Sequence, residues 1–66
     1  MIMILKEVKS EVNNNTYVVK ELKLDNLKRV WNLEVKEEDR YRLIRSFNDY
    51  GTLLNNLNLC LTQKLS

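Results

Sequence analysis

A chain of 66 residues with a single cysteine and no histidine has no covalent or zinc staple of its own. One thiol cannot close an internal disulfide, and a structural zinc site needs a full tetrahedral set of Cys or His ligands. A domain of this length buries only about 60% of the surface its unfolded chain exposes, and small scaffolds usually make up the difference with a staple or a second subunit. With the staples excluded, the apolar residues must form one core alone or complete it against another molecule. The expectation is a single domain over residues 1–66 that is homo-oligomeric, most simply a dimer, or docked on a partner.

The apolar pattern sets the predicted elements. Ile2, Ile4, Val8 and Val12 recur on one face of an alternating segment, with Glu7, Lys9 and Glu11 on the other, the period of a half-buried strand. Asn13, Asn14 and Asn15 suit a turn because asparagine tolerates positive φ. The β-formers Thr16, Tyr17, Val18 and Val19 follow, with Leu22 and Leu24 continuing the alternation. Residues 2–24 therefore read as a β-hairpin, although Lys20 to Lys23 would also suit a helix. Asp25 is a good N-cap, and Leu27, Val30 and Trp31 fall at i, i+3, i+4, predicting a short helix at about 26–34. Glu37, Glu38 and Asp39 complement the positive end of a second helix.

Leu43, Phe47, Tyr50, Leu54, Leu57 and Leu61 are spaced 4, 3, 4, 3, 4, an apolar seam of coiled-coil period. Ile44, Leu53 and Cys60 widen it. The unbroken phase predicts one amphipathic helix over about 37–63, with a break at Gly51 capped by Thr52 as the alternative. The expected class is α+β, an N-terminal hairpin with a short and a long helix; an all-α bundle is the alternative.

Catalysis fails on inventory. Histidine, the usual general acid–base near neutral pH, is absent, Cys60 has no activating base, and one glycine cannot build a phosphate-cradling loop. Glu37, Glu38 and Asp39 are consecutive and would point apart on a helix. No enzyme, cofactor or metal is expected. Eleven basic against nine acidic residues give a net charge of +2, too little to name nucleic acid as partner. MIMILKEVK at the start resembles neither a secretory signal nor a membrane span, and a lone thiol suits a reducing compartment, so a cytoplasmic protein with no membrane role is expected. Alanine and proline are absent while asparagine and lysine abound. That residue usage is what an AT-rich genome produces, and a very short protein from such a genome is often encoded by a phage or plasmid.

The expected function is a small regulator or inhibitor that binds a larger host or cognate protein sterically, for example a nuclease of a defence system. Its candidate contacts are Trp31, Tyr41, Arg42, Arg45 and Tyr50 with Leu53, Leu54, Leu57 and Leu61, since a hairpin and a short helix would leave part of the long helical face uncovered. Aromatic residues and arginine are enriched at interface hot spots. Helical pairs such as Glu38 with Arg42 would neutralise much of the basic face. One alternative is a dimeric nucleic-acid-binding regulator using Lys20, Lys23, Lys28, Arg29 and Arg40. Its strand followed by two helices would resemble the ribbon-helix-helix arrangement, in which paired strands enter the major groove, but Glu21 would face the DNA unfavourably. The other alternative is a small structural or assembly subunit.

Overall fold

The computed structural model describes residues 1–24 and 28–63. Four strands, β1 (Ile2–Lys9), β2 (Thr16–Lys23), β3 (Arg29–Glu37) and β4 (Arg40–Phe47), precede one helix, α1 (Tyr50–Thr62). Each strand pairs antiparallel with the next, giving a meander of order β1-β2-β3-β4.

Alternation explains the two central strands. Tyr17 lies opposite Val35, and Val19 opposite Leu33. These four side chains are buried with Phe47, Leu53 and Leu57 in one cluster between sheet and helix. Branched and aromatic cross-strand pairs of this kind stabilise sheets. The helix lies chiefly over β3 and β4, so on the helix side of β1 Met3 and Lys6 are left exposed and Val8 is half-buried. On the opposite, open face, Val18 is nevertheless 1% exposed. Its neighbours in the register are Glu7 and Glu34, and both carboxylates are held by lysines across the strands: Lys36 Nζ lies 3.6 Å from Glu7 and Lys20 Nζ 2.9 Å from Glu34.

An α+β fold carried by a long helix is overturned, and so is the all-α bundle. Residues 2–9 and 16–23 do pair as strands, joined through a turn in which Asn14 takes φ 64. Residues 29–34 of the helix expected over 26–34 lie instead in β3 (Arg29–Glu37). Trp31, Leu33 and Val35 bury one side of it, an alternation that the i, i+3, i+4 match of Leu27, Val30 and Trp31 obscured. Asp25 and Leu27 lie outside the described residues. The predicted 37–63 helix is also divided: its first part is β4, and Glu38 and Asp39 form the turn between β3 and β4 rather than a helical first turn. A two-residue hairpin loop is usually signalled by Asn-Gly or Asp-Gly at positive φ. Here neither residue has positive φ, and the acidic pair carries no such mark. The helical ion pair read from Glu38 and Arg42 gives way to one across the hairpin, Arg42 Nε to Glu37 Oε1 at 2.8 Å. Only one helix occurs among the described residues, so the strand-helix-helix order of the ribbon-helix-helix arrangement is absent.

Asp49 starts α1. Its backbone is extended (φ −129°, ψ 124°), and its Oδ2 accepts from the Thr52 amide at 2.9 Å and the Thr52 hydroxyl at 2.8 Å. This satisfies one of the helix's orphan N–H groups. Gly51 sits in the first turn, not at a break. The hydrogen bonds from the Thr52 hydroxyl and then the Thr52 amide hold the Asp49 carboxyl below its ordinary value. Because the folded value is the lower one, the cap stabilises the protein fully above about pH 4 and is lost as pH falls toward that folded value. The thermal midpoint of wild type is therefore expected to exceed that of Asp49→Ala at neutral pH, with the gap closing in acid. A gap unchanged in acid would show that the carboxylate is not the cap.

The other end of the helix is capped from the β1–β2 turn. Ser10, 2% exposed, donates its hydroxyl to the Leu61 carbonyl at 2.6 Å. The Asn13 amide nitrogen donates to the carbonyls of Cys60 at 2.9 Å and Gln63 at 2.8 Å. The last carbonyls of a helix have no partner within it, so the asparagine turn both reverses the chain and closes α1.

Candidate functional site

A sheet of four strands has two outer edges, and here both carry exposed apolar side chains. All of β4 except Phe47 is exposed, including Tyr41 at 43%, Leu43 at 52% and Ile44 at 39%. Arg40, Arg42 and Arg45 are interleaved with them. The register explains how they are displayed. Val35 faces Arg42 and Leu33 faces Arg45, while Glu34 faces Leu43, so Ile44 is the extra residue of a bulge. The bulge returns Arg45 to the helix side that Arg42 occupies, since Leu33 and Val35 both point to the core there. Tyr41 and Leu43 lie on the open face, where Lys20 Nζ stands 4.3 Å from the Tyr41 ring centroid.

Arg42 is committed to Glu37, and the Arg45 guanidinium lies 5.3 Å from the Phe47 ring centroid. Among the described residues Arg40 and Arg45 have no carboxylate within ion-pair distance. The edge thus presents a tyrosine, two branched apolar side chains and cationic groups free to meet anions. Beside it, on the helix side, is an open hollow of about 270 Å³ between Tyr17, Val35, Arg42, Ile44 and Cys60. Desolvation pushes the Cys60 thiol up, which suppresses its reactive thiolate.

The residues expected to bind a partner divide. Tyr41, Arg42 and Arg45 come together on β4. Leu53 is 0% exposed and Leu57 4%, so both are spent on the core within the chain. Trp31, Tyr50, Leu54 and Leu61 are half-buried against the same core, with the Trp31 and Tyr50 ring centroids 5.9 Å apart. The helical seam is therefore internal, and most of the exposed large apolar side chains lie on the two edge strands, with Val12, Leu24 and Leu59 away from them. Of the basic residues considered for nucleic acid, Lys20 is tied to Glu34 and Arg29 Nε lies 3.6 Å from Glu21. Lys23, Lys28 and Arg40 are exposed, but Lys23 ends β2 and Lys28 just precedes β3, whereas Arg40 begins β4 at the other end of the sheet. Leu43 and Ile44, read as helical seam, are the site residues that sequence reasoning misplaced. Their signal is the stretch Arg40 to Arg45, in which Tyr41 and Leu43 alternate with arginine.

Compared with protein-family models, curated proteins and solved structures, the chain matches none of them. No described helix is long and apolar enough to cross a membrane.

Proposed function

We propose that this chain is a non-enzymatic regulator that docks on a larger, acidic protein through the outer edge of β4 and blocks it sterically. The observation that carries this reading is the unpaired edge itself, with Tyr41, Leu43 and Ile44 exposed between Arg40, Arg42 and Arg45. Its composition is that of an interface hot spot, where tyrosine and arginine are enriched. Its free backbone groups suit an extended acidic segment added as a fifth strand. Nucleic acid fits less well, because Glu7, Glu21, Glu34 and Glu37 sit beside Lys36, Arg29, Lys20 and Arg42 and would repel phosphates. The AT-rich codon usage supports a mobile genetic element as the source and a host enzyme, such as a defence nuclease, as the target. The lone thiol supports a cytoplasmic setting.

The test is affinity capture from host-type lysate with tagged wild type and with Arg40→Glu/Arg45→Glu, each with and without nuclease. One protein is expected on wild type after nuclease treatment. Its binding to the double variant should be weaker by about tenfold or more, since truncating a hot-spot arginine typically costs about 2 kcal/mol or more. Equal capture by both chains, or capture abolished by nuclease, would contradict the reading.

A further inference from the structure

The second edge, β1, differs from β4 in a way that selects its occupant. Residues 1–5 are all apolar and none is covered: Ile2 is 65% exposed, Met3 52%, Ile4 57% and Leu5 36%. The register puts Ile2 and Ile4 opposite Leu22 and Lys20 on the open face, and Met3 opposite Glu21 on the helix side. Both faces of this edge are therefore apolar. The Lys23 amide donates to the Met1 carbonyl at 3.1 Å, so Met1 and Met3 turn their backbone groups inward to β2. The alternate residues, Ile2 and Ile4, turn theirs toward the open edge. After Ile4 the register shifts at Leu5, and the charged half of the strand begins at Lys6.

We infer that β1 pairs with β1 of a second copy, antiparallel about a two-fold axis through Met3. In that register Met3 faces Met3 of the second copy, Ile2 faces Ile4, and Met1 faces Leu5. The outward N–H and C=O groups of Ile2 and Ile4 find partners, and every paired side chain is apolar. Lys6, Glu7 and Lys9 fall outside the paired stretch. The other two edge combinations are opposed by charge. Pairing β4 with itself brings Arg40, Arg42 and Arg45 against the same arginines. Pairing β1 with β4 brings Lys6 and Lys9 toward them. Like charges directly opposite destabilise a sheet, and charged edges resist pairing. The result is one eight-stranded sheet with a β4 edge at each end, so self-association leaves both proposed docking edges open and is independent of them.

Sedimentation of the full chain over a concentration series is the first readout, and a monomer–dimer equilibrium is expected. Ile2→Lys/Ile4→Lys should weaken it by about tenfold or more while leaving the circular dichroism spectrum of the monomer unchanged. The register has its own readout, which stands even if that variant fails to fold. A directly opposed non-hydrogen-bonded pair has Cα atoms about 4.5 Å apart, within the roughly 4.4–6.8 Å that a disulfide spans. Met3→Cys in a Cys60→Ser background should therefore cross-link into a dimer under mild oxidation, and Lys9→Cys in that background should not. A wild type monomeric at every concentration, open-ended assembly, or equal cross-linking from both positions would overturn the inference. So would dimerisation of a folded Ile2→Lys/Ile4→Lys variant with wild-type affinity. Loss of dimerisation in Arg40→Glu/Arg45→Glu would also count against it, because those residues lie on the other edge.

Discussion

Leu53→Ala is expected to leave little folded protein at physiological temperature. Leu53 is 0% exposed and packs in one cluster with Val19, Leu33 and Leu57. It comes from α1, the helix that covers this face of the sheet. Truncating a buried leucine costs about 2–5 kcal/mol, the lost transfer free energy plus the cavity left behind. A chain of 66 residues has only about 3–10 kcal/mol of stability in all. The urea midpoint of the variant should fall by a large fraction of its wild-type value. Leu59→Ala is the matched control. Leu59 is 67% exposed on the same helix, and its loss should change stability by no more than about 0.5 kcal/mol. Similar effects at the two positions would show that the helix does not pack through the face described.

Asn13→Ala should cost about 2–3 kcal/mol, most of it at the end of α1. The Asn13 carboxamide is 7% exposed as a residue and uses both of its ends. Its oxygen accepts from the Asn15 amide at 3.0 Å, and its nitrogen donates to the Cys60 and Gln63 carbonyls. Each such bond is worth about 1 kcal/mol net, and each partner left unsatisfied adds to the loss. Asn13→Asp separates the two halves of the group. It keeps the acceptor that organises the turn but replaces the donor with a charged oxygen, aimed at two carbonyls and at the negative end of the helix dipole. At neutral pH the expected order of stability is wild type, then Asn13→Ala, then Asn13→Asp. Amide exchange in the last turn of α1 should quicken in the same order. An aspartate variant as stable as wild type would show that the donated bonds contribute nothing.

How far the fold was legible in the sequence depends on which signals were local. Val8 with Tyr17, and Val18 with Val19, carry strand character on either side of an asparagine turn, so β1 and β2 could be read directly. The long seam misled because its periodicity ran across a real boundary. Leu43 and Phe47 belong to β4, and Tyr50, Leu54, Leu57 and Leu61 to α1. Four-and-three spacing arose from joining the two. Asp49 is the cap that divides them, and an Asp–Tyr–Gly–Thr run reads as weakly as any other N-cap when the apolar phase continues past it. The turn at Glu38 and Asp39 carries no glycine or asparagine, so nothing local announced a hairpin. Of the site, Tyr41, Arg42 and Arg45 could be named from composition alone. That they share an exposed edge depends on β4 being the outer strand, and that Arg42 and Arg45 share its helix side depends on the bulge at Ile44; both are properties of pairing with β3 and have no local mark. Conversely, Leu53 and Leu57 looked available for a partner only while residues 29–34 and 37–47 were read as helical. Two further strands supply the sheet that the helix covers.

These placements move the proposed contact from the helix to the sheet edge, and photo-cross-linking tests that move most directly. A photoreactive phenylalanine analogue is placed at Leu43 on β4 or at Leu59 on the exposed side of α1, and each protein is irradiated in nuclease-treated host-type lysate. Docking through the β4 edge predicts a covalent adduct with one protein from position 43 and none from position 59. An adduct from position 59 alone, or none from either position, would contradict it.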